Sequence, residues 1–209
     1  MAHSLVEAVV CRLCGSSALM PIISLGNQYV VDFVDSDDAE QVRAPLDLVL
    51  CDPSAGGCAL LQLKHTFSKD KLYRHYWYRS GMNKTMTDEL QNMARLGEGM
   101  VRLKSGDSVI DIGSNDSTLL RGYTTPGITT VGFEPAKNIA TQYGMDGVSK
   151  VFLDYFNHAA WQKEFGDARA RVVTAIAMFY DLDDPNSFVA DIAKCLAPDG
   201  VCLVQQNSL

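Results

Sequence analysis

Asp107-Ser-Val-Ile-Asp-Ile-Gly-Ser-Asn-Asp-Ser-Thr-Leu119 decides how this chain is read. A short β-branched run, Val109-Ile110-Asp111-Ile112, stops at Gly113 and opens into small polar residues. A helix-compatible stretch, Thr118-Leu119-Leu120-Arg121, stands behind it. This is the strand–turn–helix opening of a nucleotide-type α/β fold, where a glycine turn lets a ligand approach backbone and helix N–H groups. A second apolar run, Thr130-Val131-Gly132-Phe133, ends in Glu134, 21 residues beyond Gly113. An acid at about that separation is where such folds hold ribose hydroxyls. The dinucleotide fingerprint G-x-G-x-x-G is not present, because Ser114, Asn115, Asp116 and Ser117 follow Gly113.

Working outward, strands and helices alternate from residue 107 on. The pattern predicts strands at about 108–112, 129–133, 149–152, 171–177 and 200–206, with helices at about 117–122, 135–143, 157–164 and 186–195. Such alternation implies a parallel sheet with right-handed crossovers. Residues 1–65 differ: they hold four of the six cysteines and short strand-like runs such as Pro21–Gly26, Pro45–Leu50 and Ala59–Leu63. They read as a small β-rich module with too little core to stand alone. Between them, 66–104 form a connector. A short helix starts at Lys69, an aromatic and basic cluster follows, and Met86, Leu90, Met93 and Leu96 mark an amphipathic helix. The domain reading is therefore 1–65, 66–104 and 105–209.

Composition narrows the partners. Hydrophobic residues make up 47% and the net charge is −7, with no Lys/Arg cluster, which argues against nucleic acid or an anionic membrane surface. The N-terminus lacks the basic region and apolar core of a signal peptide, and no run approaches the roughly 18 apolar residues of a membrane span. The expected setting is the cytoplasm, where cysteines are reduced and serve as ligands or core.

Cys11-Arg-Leu-Cys14 followed by Gly15 has the form of a metal knuckle. Cys51 and Cys58 are separated by Asp52-Pro-Ser-Ala-Gly-Gly57, a looser pair than the usual C-x₂₋₄-C, although its glycines and proline let the insertion loop out. Four thiolates satisfy a closed, tetrahedral, structural zinc site. The alternative is four scattered core cysteines. Cys195 and Cys202, with apolar neighbours, are expected in the core.

The turn at Asp111-x-Gly113-x-Asn115 resembles motif I of the class I S-adenosylmethionine (SAM) methyltransferases. The resemblance implies that Asp111 reaches the methionine ammonium, Gly113 leaves room for that moiety, and Glu134 takes both ribose hydroxyls. The wider pattern resembles the sugar C-methyltransferase family, which acts on nucleotide-linked 3- or 4-keto-deoxysugars. The residues that carry it are Cys11-x-x-Cys14, Cys51…Cys58-Ala-Leu-Leu-Gln-Leu63, His75-Tyr-Trp-Tyr-Arg-Ser-Gly81, Val109–Asp116 and Ala177-Met-Phe-Tyr-Asp-Leu-Asp-Asp-Pro185. By that resemblance the fold is a Rossmann-like SAM-methyltransferase sheet behind a zinc-binding module. Tyr78 lies close to the sugar and the methyl-transfer site, and Ser80 and Gly81 at the SAM end of their loop. Asp154, Tyr155 and Phe156 hold the adenine, and Ala177, Met178 and Tyr180 line the methionine and the transfer pocket. A complete sheet of this family has seven strands, the last two antiparallel. Those two are expected to be missing here, so the sheet is expected to be truncated or completed by a homodimer or a partner chain. Family members continue for roughly as many residues again, through a His-Glu-His segment that supplies the base. Ser117 also stands where motif I carries a glycine.

Carbon methylation beside a ketone needs a base for the α-proton and donors for the enolate oxygen. His65, His75 and His158 are the internal histidines, and His75 lies in the aromatic segment. Three readings follow. The first is the zinc- and SAM-binding portion of a keto-sugar C-methyltransferase, binding SAM but weak or inactive alone. The second is a non-catalytic SAM-binding module that needs a partner chain. The third, an NAD-type oxidoreductase domain, is disfavoured by the single glycine.

Overall fold

The computed structural model describes residues 5–30 and 42–206. It divides into two compact units, Met1–Arg74 with Asp183–Pro185, and His75–Leu182 with Asn186–Leu209. In the first unit β1 (Val6–Glu7), β2 (Leu19–Tyr29), β3 (Arg43–Cys51), β4 (Leu61–Leu63) and β5 (His65–Thr66) precede the short helix α1 (Lys69–Tyr73). β2, β3 and β4 form an antiparallel sheet in that order, and β1 pairs with β5. Few of its described side chains are fully buried: Cys11, Val49, Cys51 and Gln62. A core this small does not offset the chain entropy of folding unaided.

The second unit is built on α2 (Lys84–Val101), β6 (Ser108–Ile112), β7 (Thr129–Phe133), α3 (Lys137–Ile139), β8 (Lys150–Phe152), α4 (His158–Phe165), β9 (Ala170–Ile176), α5 (Pro185–Cys195) and β10 (Leu196–Gln205). Its five strands are all parallel in the order β10-β9-β6-β7-β8. Val109, Ile110, Ile112, Val131, Val172 and Val173 are nearly inaccessible, as expected of a parallel sheet covered on both faces. Trp161 of α4 and Ile192 and Cys195 of α5 pack on one face with Ile110, Phe133 and Val173. The indole N–H of buried Trp161 donates to the Ala168 carbonyl at 2.8 Å.

α2 covers the other face. Asn83 caps it by accepting from the amides of Thr85 and Met86, and Arg102 ends it in left-handed backbone. Its buried stripe is Leu90, Ala94, Gly97 and Val101, while Leu96 is half exposed. Spacing by large apolar residues therefore finds Leu90, with Met86 and Met93 packed beside it, but misplaces Leu96. A Cβ on Gly97 would lie 3.0 Å from Val172, so close approach to the sheet selects small residues.

Two other expectations change. The stretch 117–122 forms only a 3₁₀ turn at Leu120–Gly122, where Gly122 lies so close to Gln91 of α2 that a Cβ would strike it. Cys195 is core, but Cys202 is exposed on β10, an edge strand among the described residues. No helix among the described residues is long and apolar enough to cross a membrane.

Candidate functional site

Because β6, β7, β8 and β9 run parallel, their carboxyl ends share one edge. The strand order reverses direction between β6 and β9, the place where open α/β sheets leave a crevice for ligands. Asp111 sits there near the end of β6, paired in register with Thr174 of β9. The Thr174 hydroxyl donates to Asp111 Oδ1 at 2.6 Å. Burial pushes the Asp111 carboxyl up to about 7, against the lowering effect of that hydrogen bond and with a further rise from Glu134. A buried carboxyl held near neutrality is poised to meet a cation. Replacing Thr174 with Val removes the donor to the ionised form. Its titration midpoint is expected to rise by about one pH unit, read from the ¹³C carboxyl resonance.

The turn beyond β6 stores unusual backbone. Gly113 has φ +71°, Asn115 +51°, Ser117 +61° and, across the crevice, Ala177 +53°. Left-handed non-glycine residues cost about 1 kcal/mol or more each and gather at functional sites. Ser117 thus occupies the backbone that favours glycine, at the position where the sequence departs from the motif. The Gly113 and Ser114 amides both donate to the Phe133 carbonyl, tying the turn to β7. Met178 lies beside Gly113.

Glu134 is buried at the end of β7. Its Oε2 accepts from the Asn115 amide and its Oε1 from the Ala136 amide, each at 2.7 Å. Burial raises its pKa while those two N–H groups oppose the rise. Each oxygen keeps a lone pair free for another donor.

Over this turn runs the segment Tyr76–Gly81. The Asn115 side chain accepts from the Ser80 amide at 2.9 Å and donates to the Tyr78 carbonyl at 3.0 Å. Asp116 Oδ2 accepts from the Gly81 amide at 2.8 Å, and a Cβ on Gly81 would strike it at 2.7 Å. Asn138 of α3 accepts from the Tyr76 amide at 3.1 Å and donates to its carbonyl at 2.7 Å. Arg79 stacks over the Tyr143 ring with its guanidinium 4.2 Å from the centroid.

The structure thus brings Asp111, Gly113, Asn115, Glu134, Tyr78, Ser80 and Met178 into one neighbourhood. Tyr180 is exposed, and burial, Asp181 and Tyr76 raise its phenol. Asp154 is exposed beyond β8, its carboxylate accepting from the Tyr155 amide, while the Phe156 ring packs edge-on against Phe133. His75 is exposed at the head of the segment. Sequence reasoning took Tyr76 only as part of the aromatic segment and did not single out Asp116, Asn138 or Thr174. Only Thr174 carries a signal, as the lone polar residue inside Val172-Val173-Thr174-Ala175-Ile176.

In the first unit, the sulfurs of Cys11, Cys14, Cys51 and Cys58 lie within 4.8 Å of one another. Cys11 to Cys58 is 3.6 Å and Cys14 to Cys51 is 3.5 Å. Thiolates about 2.3 Å from a tetrahedral zinc stand about 3.8 Å apart, so the set fits such an ion. The looser pair closes through a turn of its own. Asp52 accepts from the Ser54 amide and hydroxyl, Gly56 is left-handed, and the Gly57 amide returns to the Asp52 carbonyl. A Cβ on Gly57 would meet Cys51 Sγ at 2.6 Å, so this glycine is part of the cradle.

Residues 11–73 match a family model described as "Putative zinc binding domain", and residues 67–208 match one described as "Methyltransferase domain". The C-methyltransferase NovU of Streptomyces niveus is 27% identical over 198 residues, 93% of this chain and 46% of NovU. The chain therefore spans about half the length of the curated relative it matches. Among solved structures, Streptomyces venezuelae DesVI is 18% identical with a TM-score of 0.45, over 61% of this chain and 53% of that one. A SAM-dependent methyltransferase from Geobacter sulfurreducens, in complex with S-adenosyl-L-homocysteine, is 20% identical with a TM-score of 0.39, over 56% and 47%. With 67–208 lying inside one family model, well over half its length, the chain belongs to the methyltransferase-domain family.

Proposed function

We propose that this chain is the zinc- and SAM-binding portion of a C-methyltransferase whose acceptor is a ketone of the nucleotide-linked keto-deoxysugar class. The observation that carries the donor half is the pair of buried carboxyls, Asp111 and Glu134, at the crevice where the strand order reverses. Asp111 faces the ammonium of the methionine moiety, the Gly113 turn keeps the backbone open beside it, and Glu134 accepts from the ribose hydroxyls. Ala177, Met178 and Tyr180 line the methionine side, and Asp154, Tyr155 and Phe156 the adenine side. When bound, SAM supplies an electrophilic methyl group.

The acceptor half rests on the phenols. Burial first, then Asp181 and Tyr78, push Tyr76 upward, so it stays protonated at neutral pH and able to donate to a developing enolate oxygen. Tyr78 stands beside it as the tyrosine closest to transfer, and His75 heads the same segment. The 27% identity to a C-methyltransferase supports carbon as the methylated atom. Cys11, Cys14, Cys51 and Cys58 hold zinc in a structural role, with no open coordination position.

Titration calorimetry on the full chain separates donor ligands. Heat with SAM and S-adenosylhomocysteine and none with NAD is expected. Saturable heat with NAD but not SAM would sink the assignment.

A further inference from the structure

Glu134 does more than sit at the end of β7. Its two oxygens are spanned by two backbone amides that lead in opposite directions. Oε2 takes the Asn115 amide, and the side chain of the same asparagine grips the Tyr78 carbonyl and the Ser80 amide. Oε1 takes the Ala136 amide, at the entrance to α3, and two residues on Asn138 grips both backbone groups of Tyr76. The segment Tyr76–Gly81 is therefore fastened toward one end by Asn115, whose amide Glu134 accepts, and at the other by Asn138, two residues beyond the Ala136 amide that Glu134 also accepts. Asp116 adds a third fastening at Gly81, adjacent in sequence to Asn115.

We propose that Glu134, Asn115 and Asn138 form a brace through which occupancy of the donor site sets the position of the Tyr76–Gly81 segment. This rests on the reading of Glu134 as the acceptor for ribose hydroxyls. New donors arriving at Glu134 must share its oxygens with the Asn115 and Ala136 amides. An adjustment of the carboxylate acts on the Asn115 amide directly and on Asn138 through the Ala136 amide two residues before it. Each asparagine reaches the segment through its one amide side chain. Asn115 is suited to this: its left-handed backbone aims its N–H at Glu134 while its carboxamide points to the segment. Asn138 and Asn115 are positioning residues here, acting on the tyrosines through backbone contacts. Donor binding first, followed by acceptor binding to a correctly set segment, is the kinetic order this brace favours.

Trp77 lies inside the segment and is 50% exposed, whereas the other tryptophan, Trp161, is buried in the core at 1%. Emission from Trp77 therefore reports on the segment, and Trp77→Phe identifies its share of the signal. Titration of the full chain with S-adenosylhomocysteine is expected to shift that emission. In Asn138→Ala, calorimetric affinity for S-adenosylhomocysteine should stay near the wild-type value while the emission change falls about threefold or more. Asn115→Gly, which keeps the left-handed backbone and deletes the carboxamide, should lose the emission change as well. Asn138→Asp, which retains only the acceptor for Tyr76, should fall between. Binding with an undiminished Trp77 response in both Asn138→Ala and Asn115→Gly would overturn the brace alone. Absence of binding heat in the wild type would overturn the donor reading, and the brace with it.

Discussion

Stripping metal from the chain with a strong chelator is expected to unfold the first unit while the parallel sheet of the second keeps its ellipticity. The reason is the size of the core. Among the described residues of that unit only Cys11, Val49, Cys51 and Gln62 are fully buried, and two of these are members of the sulfur cluster. Metal binding in such modules supplies the folding free energy itself, with apparent values of about 10–16 kcal/mol for structural zinc at neutral pH. On the proposed zinc reading Cys51→Ser should act like the chelator, because it removes the buried member of the sulfur cluster that also accepts from the Cys58 amide at 3.3 Å. Hydrogen exchange resolved by segment, alongside elemental analysis for about one zinc per chain, reads the result. Persistent protection of β2 and β3 in metal-free protein would show that the sheet holds itself.

The second large effect concerns Asp111. In the folded chain its carboxyl titrates near 7, against an ordinary value of 3.8, because burial penalises the charge. Between those values the folded state holds a proton that the unfolded chain has released. Its stabilising contribution is thus complete below about pH 4 and lost by about pH 7, a span worth up to about 4 kcal/mol. Asp111→Asn keeps an acceptor for Thr174 and removes the titration. The variant should melt on the order of 10 °C higher than wild type at pH 8, with the gap closing as pH falls toward 4. On the proposed donor reading the same substitution should weaken SAM about 100-fold or more, since it takes a buried counter-charge from the ammonium. In the wild type, SAM should bind more tightly as pH rises to about 7 and expel a proton at pH 6, which calorimetry in buffers of differing ionisation heat measures. Equal melting of the two proteins at pH 8 would show that Asp111 is not held against its charge.

Much of the second unit is legible because its punctuation is chemical. β6 ends where Gly113 breaks a β-branched run, and β7 ends where Glu134 follows Phe133, so both strands fall where alternation puts them. The turn after Gly113 is harder: its helix-like composition yields only a 3₁₀ turn, with left-handed backbone at Asn115 and Ser117 ahead of it. The stripe of α2 is read correctly at Leu90, Met86 and Met93 and missed where Ala94 and Gly97 are buried, because small residues carry no bulk by which to signal a close approach. The neighbourhood of Asp111 and Glu134 follows from strand order. The Asn138 clamp on Tyr76 does not, because it joins residues 62 positions apart through backbone atoms that any sequence would offer.

The self-closing turn between Cys51 and Cys58 bears on how related chains are recognised. Its Asp52 cap on Ser54 and its Gly56–Gly57 return are satisfied within the turn, so the insertion closes without help from the rest of the chain. A search pattern that demands two to four residues between paired cysteines passes over a pair spaced like Cys51 and Cys58, although the turn between them brings both sulfurs into one cluster.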